Sequence, residues 1–388
     1  EFLLHFFILK RMYTEKALQT IYQAITPNGI LASSIQKDNY AKVWSRDSMM
    51  TGIVGLLMQD EKIIAAHQHS VITLAKYQSE NGQIPSNVSF NGKSAEVSYG
   101  KLVGRVDATT WWIIGACMLI KNEKNQQLKT QLLPQIEKSF SCLKNWEYNN
   151  RGLLYTPLGG NWADEYITTG YTLYDNVLRF WALQLAAEVY ENKDWEKQSQ
   201  QLKSLIETNF KKDNLPEEKY HQTAYQKAPE KPYYFSHFSA NGYETLFDMA
   251  GNALALYLDF NFDEDAFENF LKSLHQECKQ WMLPVFYPII KEEDPSWKLL
   301  ENNYSYDFKN KPFHFHNGGS WPVFLGWLCL ALNKKKKTEI SNKITDQYEK
   351  LLQENDFQFH EYYATNDLKA EGTQKLCFSA IGYLLMKI

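Results

Sequence analysis

Five short segments gather carboxylates, arginine, amides and aromatic rings: Trp44-Ser-Arg46-Asp47, Gly104-Arg105-Val-Asp107, Asn161-Trp162-Ala-Asp164-Glu165, Asn241-Gly-Tyr243-Glu244 and His316-Asn317-Gly-Gly-Ser320-Trp321. Carboxylates give and take protons, guanidinium and carboxylate groups hold hydroxyls by charge-assisted hydrogen bonds, and aromatic rings offer an apolar face beside a polar edge. Cleavage of a glycosidic bond is chemistry of that kind. It needs a protonated acid at the leaving oxygen and, for inversion, a second carboxylate about 6.5–9.5 Å away that activates water. Taken singly, each segment also has a structural explanation. An Asp ahead of an apolar helix is an ordinary N-cap, Trp111 and Trp112 suit a core, and His316 can satisfy a backbone carbonyl. His314 and His316 would share one side of an extended segment, but the sequence specifies no third ligand, Asp307 included, so no metal site is expected.

The elements that must position these residues are helices. Apolar residues recur at helical spacing over 13–25, 45–58, 62–78, 105–122, 126–145, 171–191, 194–210, 242–259, 263–278, 317–332, 338–354 and 373–387, and almost nothing shows the alternation of an exposed strand. The segments starting at 45, 105, 171, 242, 317 and 373 are rich in Ala, Gly, Trp and Leu and read as buried all round. Those between them carry a polar face, as in Asn192-Lys-Asp-Trp-Glu-Lys-Gln-Ser. The expected fold is all-α, an (α/α)6 toroid of six inner and six outer helices. Connections into inner helices are long (79–104, 146–170, 211–241 and 279–316) and rich in Trp, Tyr, Asn, Gly and Pro, so they are expected to be ordered and gathered on one face. All five polar-aromatic segments fall just before inner helices, which brings them to one mouth. Residues 12–388 read as a single catalytic (α/α)6 domain. Residues 1–11, an apolar run too short to span a membrane and unlike a signal peptide, read as an upstream extension.

The chain has 388 residues and a formal net charge of -4 with no basic stripe, which argues against a nucleic-acid partner. Its five cysteines are odd in number and form no C-x-x-C pair. They are expected to be reduced core residues, and the location cytoplasmic. Aromatic residues make up 15% of the chain; some must pack the core, and rings beside polar partners also suit a sugar-binding cleft. A surplus of rings beyond the mouth suits either extra sugar subsites or a homo-oligomer contact, and loop 211–241, with Tyr220, Tyr225, Tyr233, Tyr234 and Phe235, is the place to look for both.

The clusters also carry a family resemblance. His316-Asn-Gly-Gly-Ser-Trp-Pro322 resembles the H-N-G-G-S-W-P stretch of alkaline/neutral invertases, and Gly104-Arg-Val-Asp-Ala-Thr-Thr-Trp-Trp112 resembles their G-R-V segment followed by V-D-S-G-L-W-W. The resemblance implies that Asp107 is the general acid. It also implies that Phe359-His-Glu-Tyr-Tyr363, similar to the family's late W-P-E-Y-Y, carries the base, Glu361. Trp44-Ser-Arg-Asp47 is similar to the W-x-R-D of glucoamylases, which implies a glycone subsite at Arg46 and Asp47. Asn161 to Glu165, followed by Gly170-Tyr-Thr-Leu-Tyr-Asp-Asn176, looks like the central segment of amylo-1,6-glucosidase-like and trehalase-like proteins, so Asp164 either binds sugar or is a rival acid. Substrate contacts are expected from Trp44, Arg46, Asp47, Arg105, Trp162, Asp164, Glu165, Tyr243, His316, Asn317, Trp321 and Tyr363. Ala-Thr-Thr in place of Ser-Gly-Leu, and His360 in place of Pro, leave the substrate open. The implied activity is inverting, exo-acting hydrolysis of a small α-glucoside, without cofactor or metal and with no membrane partner. Sucrose is the first substrate to try, with a debranching α-1,6-glucosidase, a trehalase or a non-catalytic carbohydrate-binding toroid as alternatives.

Overall fold

The computed structural model describes residues 2–35, 39–92, 94–212 and 218–388, with no side chains described for 2–10. Part of loop 211–241, namely 213–217, therefore lies outside the described residues, as does Glu1 of the 1–11 extension. The helices are α1 (Phe2–Gln23), α2 (Ser45–Met58), α3 (Glu61–Lys76), α4 (Val106–Glu123), α5 (Gln126–Asn145), α6 (Leu173–Tyr190), α7 (Lys193–Asn209), α8 (Gln222–Lys227), α9 (Met249–Tyr257), α10 (Glu264–Cys278), α11 (Trp297–Glu301), α12 (Pro322–Lys334), α13 (Thr338–Glu354) and α14 (Cys377–Lys387). Twelve of these are long and coincide with the twelve periodic segments. The first runs back through the residues set aside as an extension, and α8 and α11 are short helices inside long loops.

Helices α2, α4, α6, α9, α12 and α14 are buried on nearly every side and touch in cyclic order, α14 closing back on α2. The others bury a single stripe, such as Leu128, Leu132, Ile136 and Leu143 of α5 or Phe267, Leu271 and Leu274 of α10. That is the outcome expected of an amphipathic helix with one apolar face. Closing the ring demands small residues where two inner helices meet. A Cβ on Gly382 would lie 2.3 Å from the carbonyl oxygen of Pro322, and one on Gly326 2.5 Å from that of Gly382, so α12 and α14 pack backbone to backbone.

Four of the outer helices begin differently from most of the inner ones, while the outer α13 starts at Lys337 without a side-chain cap. Asp60, Asn125, Asn192 and Asp263 cap α3, α5, α7 and α10 with side-chain hydrogen bonds. Of the inner helices only α9 is capped in this way, by Asp248. The N-cap positions of α2, α4, α6, α12 and α14 are Trp44, Arg105, Thr172, Trp321 and Leu376, none of which makes a side-chain cap. Asp47, Asp107 and Asp175 are therefore not N-caps but first-turn residues, beside the positive end of the helix dipole. These starts share one end of the ring: Ser45 Oγ donates to the Ala108 carbonyl at 2.6 Å, and the Arg46 guanidinium lies 5.7 Å from the Phe378 ring of α14.

The expectation of a fold almost free of strands needs correction. Five strands, Tyr155–Thr156, Gly170–Thr172, Phe235–Ser239, Gly242–Asp248 and Phe286–Tyr287, form an antiparallel sheet in chain order. Val43–Trp44, Asn87–Asn91 and Ser94–Ser98 form another, and two further pairs join Ile25–Thr26 to Gly29–Ile30 and Tyr362–Tyr363 to Ala370–Glu371. Most are too short for a period of two to show in the sequence. The segment expected as a helix from 242 is strand up to Asp248, and those expected from 317 and 373 become helical only at Pro322 and Cys377. Proline fits the first helical position because its missing N–H would have no partner there. No helix among the described residues is long and apolar enough to cross a membrane. All five cysteines are free, Cys278 half-buried and the rest buried.

Candidate active site

The open helix starts deliver a layered cluster. At the bottom, Arg46 Nη1 of α2 donates to Asp107 Oδ2 of α4 at 2.9 Å, and Tyr174 Oη of α6 lies 3.3 Å from the same oxygen. Asp107 has no exposed side-chain surface and Arg46 is 16% exposed. Further buried carboxylates follow along the ring. Asp175 Oδ2 accepts from Thr156, Thr172 and Asn161 at 2.9, 2.6 and 2.9 Å, and Asp248 Oδ1 accepts from the Gly251 N–H at 3.2 Å. Burial pushes the Asp47 carboxyl up to about 6 against the pull of Arg46. It pushes Asp248 up to about 7, with the charge of Asp175 adding to the effect. Asp175 is raised by burial and then by the like charge of Asp107.

Above this floor, Arg105 bridges two loops. Its Nη2 grips Asp164 Oδ2 at 2.6 Å while Nη1 donates to the carbonyls of Val103 and Gly159 at 3.0 and 2.6 Å. The Asp164 side chain is 38% exposed, the most open carboxylate among those given a catalytic reading. Glu165 beside it turns inward, where Oε1 accepts from the Ser305 N–H at 3.3 Å and its own carbonyl accepts from Asn310 Nδ2 at 2.6 Å. Burial raises its carboxyl against the nearby charge of Lys309.

Glu361 stands at the start of the Tyr362–Tyr363 strand. Tyr40 Oη donates to Oε1, and the Thr373 N–H donates to Oε2 at 3.1 Å while the Glu361 N–H donates to the Thr373 carbonyl at 2.9 Å. Gly372 makes this fit possible: its φ is +77°, and a Cβ there would lie 2.3 Å from Oε2. Burial raises the Glu361 carboxyl, opposed by the Tyr40 and Thr373 hydrogen bonds and by Lys309, and reinforced by Asp164. The charge of Asp164 thus adds to the rise at Glu361, and both carboxylates raise Tyr40.

An aromatic wall joins these groups. Trp321 stacks between His316 (5.3 Å, 23°) and Tyr362 (5.7 Å, 18°), and Trp162 meets His316 and Trp321 edge-on at 5.1 and 5.4 Å. Burial holds His316 well below the usual histidine range, with Lys309, Arg46 and Arg105 adding to the effect, so the ring is neutral. His314 Nδ1 instead faces Glu371 Oε2 at 3.1 Å, so the two histidines are not presented to one ion.

Of the expected contact residues, the structure brings Arg46, Asp47, Arg105, Trp162, Asp164, Glu165, His316 and Trp321 together, with Trp44 half-buried and its indole N–H on the Asn39 carbonyl beside Tyr40. Three expectations are corrected. Asn317 is fully buried and its amide is consumed by Ile290 and Asn310, so it fastens a loop. Tyr363 is fully buried against Tyr348 of α13. The Tyr243 ring packs on Phe238, Tyr225 and Phe235 in the five-stranded sheet, with none of the mouth residues among its ring partners. Residues missed from sequence are Tyr40, Tyr174, Gly372 and Thr373. Tyr174 lies inside the quoted Gly170–Asn176 stretch, whereas nothing around Tyr40 marked it.

Tyr40→Phe provides a local test. Its hydrogen bond favours the charged form of Glu361, so losing it raises the Glu361 carboxyl further. If Glu361 must be ionised to work, the acid limb of the kcat/KM profile moves to higher pH and kcat falls about 10-fold or more, the worth of one bond to a charged group. An unmoved acid limb would separate Glu361 from the rate.

Residues 206–388 match the family of alkaline and neutral invertases. A 108-residue stretch is 32% identical to neutral/alkaline invertase 3, chloroplastic, of Oryza sativa subsp. japonica, covering 27% of this chain and 17% of that protein. A stretch of the same length is 34% identical to the probable alkaline/neutral invertase A, chloroplastic, of Arabidopsis thaliana, covering 27% and 16%. The matched stretch thus spans less than a fifth of those relatives. Among solved structures, the GH63 mannosylglycerate hydrolase of Thermus thermophilus superposes with a TM-score of 0.69 at 11% identity, over 97% of this chain and 100% of that one. A rhamnosidase from Klebsiella oxytoca does so with a TM-score of 0.63 at 11% identity, over 97% and 63%. At such identities the likeness is one of fold.

Proposed function

We propose that this chain, similar in its C-terminal half to the alkaline and neutral invertases, is an inverting glycoside hydrolase built as an (α/α)6 toroid and acting on a small α-glucoside, with sucrose the first substrate to try. The observation that carries the reading is that two carboxylates held by different loops, Asp164 on Arg105 and Glu361 on Tyr40 and Thr373, both act on the same Tyr40. In this proposal Glu361, with both oxygens oriented by Tyr40 and Thr373, takes the proton from the attacking water. Asp164, gripped by Arg105 in the free protein, exchanges that contact for the substrate and takes up a proton before it donates to the leaving oxygen. Asp107, the acid implied by the family motif, is instead a positioning residue: it is sealed from solvent and both its recorded bonds use one oxygen, on Arg46 and Tyr174. In this proposal Arg46 and Asp47 hold the glycone, with the His316, Trp321 and Trp162 rings as the apolar wall of its subsite. The proposed compartment is the cytoplasm, in keeping with five unpaired thiols.

The test is proton NMR of the anomeric signals during action on sucrose, trehalose, maltose and isomaltose. The expected result is cleavage of one of them with the first product in the inverted configuration. Retention would overturn the mechanism. Saturable sugar binding without cleavage would turn the proposal into a carbohydrate-binding protein.

A further inference from the structure

Several large exposed side chains stand in two loops that also carry site residues. Tyr306 is 75% exposed and Leu102 97%, with Tyr304 and Leu299 close by in sequence to Tyr306. Lys101 Nζ donates to Tyr306 Oη at 2.5 Å and lies 4.0 Å from the centroid of that ring. This contact clasps together two loops that both lead to the acid. One passes from Lys101 to Arg105, whose guanidinium grips Asp164, and the other from Tyr306 to Ser305, whose N–H bonds Glu165. The second loop is braced from within, by Asn303 Nδ2 on the Tyr166 carbonyl at 2.9 Å and by Phe308 edge-on to Trp297 at 5.5 Å. A tyrosine so firmly based and yet so open is unusual, because an aromatic ring normally buries most of its apolar area.

We infer that Tyr306, held by Lys101, is the platform for the leaving-group sugar and so sets which α-glucosides are accepted. The inference rests on the hydrolase proposal, with Asp164 as acid. In an inverting cleavage the acid stands on the leaving-group side of the bond and the base on the opposite side of the ring. The departing sugar therefore lies on the Asp164 side, where the Lys101–Tyr306 clasp is, and away from Glu361. A cation near the phenol ring leaves most of the ring's area open, and a pyranose or furanose can lay its C–H face there.

The experiment compares two substrates sharing one glycone: the disaccharide cleaved in the panel above and α-glucosyl fluoride, whose leaving group is a single atom. For Tyr306→Ala, kcat/KM on the disaccharide is expected to fall about tenfold, the worth of one aromatic stacking contact, with hydrolysis of the fluoride unchanged. Tyr306→Phe keeps the ring and the cation's place over it but loses the Lys101 Nζ–Oη bond, and is expected to lose less than Tyr306→Ala on the disaccharide and nothing on the fluoride. Equal losses on both substrates, no loss on either, or a loss for Tyr306→Phe as large as for Tyr306→Ala would each overturn the platform while leaving the hydrolase proposal intact. A parent protein that hydrolyses neither compound overturns both.

Discussion

Asp164→Asn lowers kcat on the cleaved α-glucoside by about 10³-fold while the protein stays folded, the range expected for loss of a general acid. The folding half of the expectation follows from exposure. The Arg105–Asp164 pair is partly open to solvent, and such pairs contribute about 1 kcal/mol or less. Asp107→Asn behaves differently. Arg46 is largely buried, and removing the charge of Asp107 leaves Asp47 as the other carboxylate acting on it, a loss approaching the cost of breaking a buried pair, about 3–5 kcal/mol. Activity and stability are thus expected to fall together for Asp107→Asn and apart for Asp164→Asn, with kcat read beside a urea unfolding curve for each. A fully active Asp164→Asn beside a dead but normally stable Asp107→Asn would return the role of acid to Asp107, as the family motif implies. Fluoride hydrolysis adds a second reading, since a substrate with a good leaving group needs less from the acid and should lose far less activity in Asp164→Asn.

The second large effect concerns stability against pH. Asp248 caps α9 and is pushed up to about 7 by burial, whereas an unfolded aspartate titrates near 3.9. Between those values the folded protein holds a proton that the unfolded chain has released. Stability therefore falls as pH rises through that window, by about 1.4 kcal/mol per unit for one such group, and the loss levels off above the folded value. Asp248→Asn keeps the capping geometry, because asparagine caps as well as aspartate does, and removes the charge. Relative to the parent, the variant is expected to gain about 2–3 kcal/mol more at pH 8 than at pH 5, read from urea unfolding at the two values. The same gain at both pH values would show that Asp248 does not titrate with folding. Asp47 and Asp175 are raised for the same reason and slope the same way, so the difference between variant and parent removes most of that shared background, leaving Asp248 together with its charge interaction with Asp175.

Why three carboxylates lie buried at this end of the ring follows from the helix starts. Asp47, Asp107 and Asp175 each sit in the first turn of an inner helix, where free N–H groups and the dipole favour negative charge, and the ring brings the turns together. Of these, Asp107 is balanced by a direct contact, from Arg46. A sequence can show each acid before its helix, and the local reading is then a cap. That the acids turn inward, with no side-chain cap made, depends on the closed ring of helices.

The sequence by itself determined the helices and their ranking. Long segments repeat the 3.6-residue period over three turns or more, and whether a segment is apolar all round or on one stripe decides whether it lies inside or outside. Short strands such as Tyr362–Tyr363 and Ala370–Glu371 escaped because two residues carry no period. Composition and motif also located the mouth, since Arg46, Arg105, Asp164, His316 and Trp321 stand in marked segments. Only the tertiary structure decided which of these face it. Asn317 and Tyr363 belong to the same conspicuous motifs as Trp321 and Glu361, yet their polar groups or rings are spent on backbone and core. Tyr40, more than three hundred residues from Glu361 along the chain, reaches its carboxylate because the first loop folds back beside the last. Local pattern records which residues share a helix face. Which of two neighbouring acids meets solvent, and which is sealed beneath an arginine, depends on contacts between segments far apart in the chain, and those exist only once the ring has closed.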